Sequence, residues 1–551
     1  MVKDFREFSH NELIKYIEEL QSQLKSEKYG LYWDKNIKSE NELFIKNNIP
    51  FLQRKISLLT SFLNNLLVES DNFPFLVSMN YIYSNGSVDM IYIDPPYNTG
   101  NKDFIYNDNF VKNDDGYKHS KWLNFMEQRL VLARNLLKDS GSIFISIDDN
   151  EFANLKLLCD SIFGPTNFVG NMIWKSKSGG ANDSSFIATD HEYILVYCKN
   201  IRYAKFYKDI NATVTTSYNQ EDELGRYSLD RLDKQSLGYH ASLDFPIIGP
   251  DGKAYIVQHK DPSKKQARWR WGIETVKERY NELVFKWPYV YTKNYEKKDG
   301  QTPRTILFED RFGRTRTGST DLKSVIGIQN IFTYPKPVSL IKYLVSIGAP
   351  RDGIILDFFA GSGTTGQAVL ELNKEDGGNR RFILCTNNEN NICTDITYPR
   401  LKTVITGIRP DGTKYSDGIP ANLIYYKTDF IKDSNNTDQA KYCLVEKVDE
   451  LLCISEDIFI QLERNDYSSH YVSNDESRHM FIYSDYYNET KFKEFKQRVL
   501  STSSTKVVYI FSSDNNVDET LFEEDKDVEV KPIPSKIYEI YKEIVEDIKR
   551  G

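Results

Sequence analysis

Cysteine is scarce in this chain: six in 551 residues, with no paired spacing. That excludes a disulfide-built secreted scaffold and fits a reducing compartment. Cys385 and Cys393 lie close together, but no second pair or histidine cluster follows, so no metal site is expected. No apolar run is long enough to span a bilayer, and Met1 to Leu20 carries charges throughout with no signal-peptide core. The expected location is therefore cytoplasmic. There is no G-x-x-x-x-G-K-[ST] phosphate loop, which removes the common kind of ATP motor. Internal repeats and long low-complexity tracts are also missing. Positive charge is not in excess, with 71 Lys and Arg against 79 Asp and Glu, a net of −8. Such a body does not simply coat nucleic acid, yet a local basic groove stays possible, because binding needs charge only where the phosphates lie.

What is present is a globular composition, 40% hydrophobic and 27% charged, in a chain long enough for three or four domains. Residues 1–70 read as a helical segment. Leu13, Ile17, Leu20 and Leu24 recur at helical spacing, and Ile56, Leu59, Phe62, Leu63, Leu66 and Leu67 make a second apolar face. Such stripes must pack on something, and a dimer contact is expected there. Residues 71–175 alternate strand and helix, which implies a parallel α/β sheet. Residues 176–325, rich in Gly, Asp, Lys, Arg and aromatics, break the alternation and look like an inserted domain. Alternation resumes over 326–430, and 431–551 reads as a small α/β C-terminal domain ending in a helix from Ser535.

The most informative stretch is Asp94-Pro95-Pro96-Tyr97, directly after the apolar run Val88 to Ile93. The run reads as a buried strand that the prolines terminate. An acid at the carboxyl end of a strand, beside a rigid turn and a ring, makes a small pocket. Asp94 can accept a hydrogen bond from an amine, and the Pro95 carbonyl can accept another. Tyr97 offers a flat face to a planar base. This is chemistry for holding the exocyclic amine of a nucleobase.

A second motif runs from Ile354 through Asp357-Phe358-Phe359-Ala360-Gly361-Ser362-Gly363-Thr364-Thr365-Gly366. It reads as strand, glycine turn and helix start, a place where a ligand approaches backbone N–H groups closely. Gly361, Gly363 and Gly366 satisfy G-x-G-x-x-G, and Glu375, Asp376 or Glu389 could bind a ribose, so a nicotinamide-dinucleotide site is one reading. Asp357 points the other way. An acid in that turn repels a pyrophosphate but suits the ammonium of an amino acid. Together with the amine pocket, this describes S-adenosylmethionine beside a flipped base.

Further stretches carry a family resemblance. They include Ile91 to Phe104, His119-Ser120-Lys121-Trp122, Ile145 to Glu151, Asp190-His191-Glu192-Tyr193-Ile194-Leu195 and Tyr334-Pro335-Lys336-Pro337. Over most of residues 25–430 the chain resembles the modification (Mod) subunits of type III restriction–modification systems. These are beta-group amino-methyltransferases, in which the catalytic motif precedes the cofactor motif. Glu69-Ser70-Asp71 stands where Glu-Gly-Asp is expected. The resemblance implies a Rossmann-like class I methyltransferase sheet with an inserted target-recognition domain. It implies methylation of adenine N6 in double-stranded DNA, S-adenosylmethionine as donor, a homodimer, and an ATP-dependent restriction subunit, Res, as partner. The same pocket would accommodate N4 of cytosine, and a recognition subunit with vestigial catalysis is a further alternative.

On this reading Asp94, Pro95, Pro96 and Tyr97 are catalytic, and Tyr97 stacks on the extruded base. Asp71, Phe332, Tyr334, Lys336, Asp357, Phe359, Gly361, Ser362, Gly363, Thr364 and Glu389 bind the cofactor. Asp71 would take its adenine, Glu389 its ribose, and Phe332, Tyr334 and Lys336 would lie over its methionine part. His119 and His191 are given structural roles. For DNA, basic residues interleaved with aromatics in the insert suit phosphates and base edges: Lys264, Lys265, Arg268, Trp269, Arg270, Arg304, Arg314 and Arg316. The acidic run Glu523-Glu524-Asp525 suits protein contacts instead.

Overall fold

The structure is a computed structural model that describes residues 33, 44–45, 47–83, 86–100, 104–106, 109–110, 115–178, 186–212, 217–261, 263–296, 300–328, 331–432, 443–445, 447–485, 488–511, 517–533 and 543. Its main sheet has ten strands: β1 Ile49–Leu58, β2 Asn64–Glu69, β3 Val88–Ile93, β4 Leu137–Ile147, β5 Phe168–Lys175, β6 His191–Cys198, β7 Ile306–Leu307, β8 Ile354–Asp357, β9 Arg381–Thr386 and β10 Asn422–Ile431. Their order is β1-β10-β2-β9-β8-β3-β4-β6-β5-β7. The centre, from β10 to β4, is parallel.

Helices cover both faces because alternate residues of each central strand are apolar. Leu66 and Val68, Ile91 and Ile93, and Ile143 and Ile145 join one core with the helices α1 Asn72–Ile82, α2 Lys118–Leu136 and α3 Phe152–Phe163. Leu67, Met90, Tyr92, Phe144 and Ile355 point the other way. They pack with α5 Val338–Gly348, α6 Thr364–Asp376 and α7 Tyr398–Thr406, while α4 is Thr315–Ile326. Central strands buried on both faces read as continuous apolar runs. The result is a Rossmann-like α/β sheet covered by helices on both faces.

Three expectations are corrected. The segment 1–70 is not helical where it is described: β1 and β2 occupy it. The helical spacing of Leu63, Leu66 and Leu67 was coincidental, since all six residues of β2 are buried, as a central strand requires. Leu59 and Phe62 are exposed between the strands rather than part of an apolar helical face. Leu13 to Leu24 lie outside the described residues. The sheet is mixed rather than parallel. β6 runs antiparallel between β4 and β5, and β1 antiparallel to β10, pairings that need no crossover helix. The insert is also narrower than 176–325: residues 208–303 form a compact unit, whereas β6, β7 and α4 belong with the main sheet.

The 208–303 unit has a four-stranded antiparallel sheet and its own core around Leu232, Tyr255, Trp269 and Val290. The C-terminal region forms a five-stranded sheet, its strands in chain order from Ile460–Arg464 to Val528–Ile533, crossed by the helix Glu489–Ser501. Apart from residue 543, the helix expected from Ser535 lies outside the described residues. Among the described residues no helix is long and apolar enough to cross a membrane.

Two chain directions diverge at the centre of the main sheet. From β8 the chain proceeds to β9 on one side, and from β3 to β4 on the other. In an open α/β sheet such a switch opens a crevice beyond the carboxyl ends of the strands, where ligands bind.

Trp269 is fully buried and its indole N–H donates to the Phe245 carbonyl at 2.7 Å. Replacing it with Ala should cost the 208–303 unit about 3–5 kcal/mol. Urea titration followed by limited proteolysis should show this unit opening first.

Candidate active site

Asp94 leaves β3 at that crevice. The turn after it is pinned from below. The Trp122 indole N–H, on α2 and fully buried, donates to the Pro96 carbonyl at 2.7 Å. Asn98, in the left-handed region with φ 56°, is fully buried. It donates to the Lys118 carbonyl at 3.3 Å and to Glu151 Oε1 at 2.5 Å. His119 Nδ1 is 2.7 Å from the same Glu151 oxygen. Among the described residues no group donates to the Pro95 carbonyl.

Four side chains meet above this turn. Lys336 Nζ donates to both Asp94 oxygens at 2.8 Å and to the Tyr97 hydroxyl at 2.9 Å. The same ammonium is 3.2 Å from Glu192 Oε2. The Tyr97 hydroxyl faces two acids, 2.9 Å from Asp94 Oδ1 and 2.9 Å from Glu192 Oε2. Burial lifts the Asp94 carboxyl above its ordinary range and Glu192 adds to the rise, while Lys336 works against it. Burial opposes the Lys336 charge, but Asp94 and Glu192 hold the ammonium above its usual value, so it stays protonated. Burial, Asp94 and Glu192 push the Tyr97 phenol well upward, and it remains a donor.

The neighbouring strand β8 ends in Asp357, 2% exposed. It accepts from Thr365 Oγ1 at 2.5 Å and from the Phe359 N–H at 3.0 Å. No cation pairs with it among the described residues. Burial therefore pushes its carboxyl up to about 7, the two donors pulling back and Asp94 adding to the rise. The turn beyond needs glycine: Gly361 has φ 47°, and a Cβ there would sit 3.1 Å from the Phe332 ring. The Ser362 and Thr364 hydroxyls point under the turn, to the Arg400 guanidinium at 3.0 and 2.8 Å.

With two carboxylates on adjacent strand ends described, comparison with known proteins adds a lineage. Residues 88–398, more than half of the chain and spanning both motifs, match the DNA methylase family. The chain belongs to that family. It is 36% identical over 360 residues to the Type III restriction-modification enzyme StyLTI Mod subunit of Salmonella typhimurium, covering 59% of this chain and 52% of that protein. It is 35% identical over 377 residues to the EcoPI Mod subunit of Escherichia phage P1, covering 59% and 58%. To the Type II methyltransferase M.KpnI of Klebsiella pneumoniae it is 34% identical over 418 residues, covering 70% of this chain and 99% of that protein. The chain thus spans about half the length of the Mod subunits it matches.

In this member of the family the expected site residues fall into groups. Asp94, Tyr97 and Lys336 meet, and Phe332 packs on Gly361. Lys336, expected over the methionine part of a cofactor, is instead on the Asp94 carboxylate. Tyr334 is 76% exposed with φ 54°. Asp71 caps α1, accepting from the Phe73 N–H at 2.8 Å, and is 3.3 Å from the buried Arg129 guanidinium. Glu389 is exposed in a short 3-10 turn after β9.

The basic residues also divide. Trp269 is core and has no surface to offer DNA, a correction that follows from its complete burial. Arg270 is tied to Thr292 Oγ1 at 2.7 Å and to Asp230 at 3.2 Å, and Lys265 to Asp244 at 2.8 Å. Arg314 closes its own loop, donating to the Phe308 and Gly313 carbonyls at 2.8 and 2.9 Å. Arg268 is half-buried, and Lys264, Arg304 and Arg316 are exposed. Arg304, Arg314 and Arg316 belong with the main sheet rather than with the insert.

Sequence reasoning missed Glu192 and Arg400. Glu192 lay in the stretch His191-Glu192-Tyr193, which carried the resemblance but was given no role. Only the antiparallel direction of β6 shows that its first residues meet the carboxyl ends of β3 and β4. Arg400 had no signal in sequence, since its partners are more than thirty residues away.

A buried carboxylate without a cation costs stability. The unfolded Asp357 ionises near 3.8, while the folded one keeps its proton to about 7. Native stability is therefore lost as pH rises from about 4 to 7. Asp357→Asn should melt like wild type near pH 4 and be more stable above pH 7, by on the order of 2–4 kcal/mol. A calorimetric pH series checks the sign.

Proposed function

We propose that this chain is an S-adenosylmethionine-dependent, site-specific DNA methyltransferase that acts on the N6 amine of a flipped adenine, as the Mod subunit of a type III restriction–modification system. One observation carries the reading: an amine-accepting carboxylate, Asp94, and a cation-seeking carboxylate, Asp357, end adjacent parallel strands at the switch point of the sheet. S-Adenosylmethionine fits this pair. Asp357 lacks a cation that the ammonium of an amino acid would supply, and Gly361 leaves room for close approach. The cofactor, when bound, presents a methyl group on a sulfonium.

The residues then divide the work. Asp94 accepts a hydrogen bond from the target amine and turns the nitrogen lone pair toward the methyl. Tyr97 gives the base a face, stacking worth about 1–3 kcal/mol. As the N–C bond forms and the S–C pair returns to sulfur, the nitrogen becomes an acid, and Asp94 receives the proton it sheds. A carboxyl lifted by burial suits this task better than an ordinary one. Alignment of the two reactants supplies much of the acceleration. Arg268, with Lys264, Arg304 and Arg316, offers charge for the DNA backbone. A second copy of the chain and an ATP-dependent Res subunit complete the assembly on this reading.

A second reading has its own support. The chain is also 34% identical over 418 residues to a protein named as a Type II methyltransferase, M.KpnI, so modification within a type II system is the alternative. Incubating the purified chain with S-adenosylmethionine and unmodified genomic DNA, followed by nucleoside mass spectrometry and modification-sensitive sequencing, separates the cases. N6-methyladenine at one sequence is expected. N4-methylcytosine, or no methylation, would reject the adenine reading. Recovery of an ATPase with the tagged chain from its native cells would decide for a Res partner.

Asp94→Ala should abolish transfer and leave cofactor affinity within a few fold. Titration calorimetry beside a methylation assay tests it, and near-normal turnover would reject the role. Cofactor binding needs Asp357 ionised, so affinity should fall as pH drops through about 7, approaching tenfold per pH unit. Asp357→Asn should bind weakly with no pH dependence across that window. For DNA, Arg268→Ala should lower the salt slope of binding by about one. Arg270→Ala should instead lower the melting temperature, because it removes the half-buried link between Asp230 and Thr292 and leaves Asp230 to Lys234 alone.

A further inference from the structure

The Asp94 carboxylate, which must accept the target amine, already carries an amine. Lys336 Nζ bonds both of its oxygens at 2.8 Å. An incoming base has to displace that ammonium, and the Lys336 side chain is only 10% exposed. A displaced ammonium left unpaired in so dry a place is costly. One other acid is within reach. Glu192 Oε2 lies 3.2 Å from Lys336 Nζ and 2.9 Å from the Tyr97 hydroxyl, and its side chain is 17% exposed. It stands at the amino end of β6, opposite Trp174, whose ring is 5.9 Å from the same ammonium. The structure shows Lys336 on Asp94 with Glu192 3.2 Å away, so a short shift of the ammonium towards Glu192 would open Asp94 without leaving the charge unpaired.

Resting on the methyl-transfer reading above, we propose that Lys336 is a placeholder for the target amine and that Glu192 is the positioning residue that takes the Lys336 ammonium when the base enters. Glu192 touches neither base nor cofactor. It acts by keeping the displaced charge paired, which makes the extruded state of the base accessible. After transfer, Asp94 gives up its proton to water as the product leaves, and Lys336 returns to the carboxylate.

The test uses the full-length protein, S-adenosylmethionine, and a duplex that keeps adenine at the target of the site found by sequencing and carries 2-aminopurine at the neighbouring position, where it loses its stacking partner when the target leaves the helix. The fluorescence gain reports the ratio of extruded to stacked base. Glu192→Gln should lower that ratio roughly tenfold while duplex and cofactor affinities hold. Lys336→Met should raise the ratio above wild type, since nothing then occupies Asp94. The double variant should match Lys336→Met, because Glu192 has no charge left to receive. A merely structural Glu192 would depress the ratio equally in both backgrounds, and that outcome overturns the proposal. So does a Glu192→Gln ratio equal to wild type. Glu192→Asp, shorter by one methylene, should fall between and serves if the amide variant does not fold. Wild type that neither binds cofactor nor methylates DNA would defeat the functional reading itself. Active wild type with an indifferent Glu192 defeats only this inference.

Discussion

The parallel pairing of β3 with β8 is the constraint on which the rest of the site depends. Leu356 lies beside Ile91 and Ile355 beside Met90, so the two strands end together. Asp94 and Asp357 are thereby held at one edge, close enough for each carboxylate to resist the charge of the other. Two like charges in a dry crevice are unfavourable unless cations arrive. Lys336 supplies one internally. The other position is left to a ligand, and a fold that tolerates such a deficit has kept stability in reserve for binding.

The surroundings make that deficit rigid. Trp122 and Asn98 fix the turn after Asp94 to α2 and, through Glu151, to α3. Arg400, fully buried on α7, ties the glycine turn by its guanidinium to Ser362, Thr364 and Gln367. Arg129 stacks on Phe125 with its guanidinium carbon 3.7 Å from the ring centre and reaches Asp71. Each brace is a buried polar group bonded to a partner from a different element, the arrangement that specifies one geometry rather than several, although Asn98 Oδ1 and Arg400 Nη2 have no partner among the described residues. Sites of this kind work through placement of acceptors, and a brace that moved by an ångström would misdirect them.

Charge in the 208–303 unit is organised differently. Many of its basic side chains are paired within the unit, as in Arg270 and Lys234, which share Asp230, and Arg279 with Glu282. Counting basic residues in a stretch overstates the charge a surface presents, because paired groups contribute little field beyond a Debye length. The same unit builds a core around Trp269, so its aromatics serve folding first.

The sequence alone determined both motifs, the strands that carry them and the kind of chemistry. Asp94-Pro95-Pro96-Tyr97 and Asp357 to Gly366 are local signals: an apolar run, a chain breaker, and residue types that only certain backbones accept. The alternation expected over 71–175 is present in β3, α2, β4, α3 and β5, because their apolar periods are strong. Short buried strands were ambiguous. Leu66-Leu67 fits a helix face as well as a two-sided strand until its neighbours β9 and β10 are known. Strand direction was not legible either, and with it went Glu192, which reaches the site only because β6 runs antiparallel. Lys336 could be assigned to the cofactor or to the base with equal ease from its position in Tyr334-Pro335-Lys336-Pro337, and only folding puts its ammonium on Asp94. Local motifs fix which groups a site can hold. Pairing across the sheet, between residues hundreds of positions apart, decides which of them share a charge.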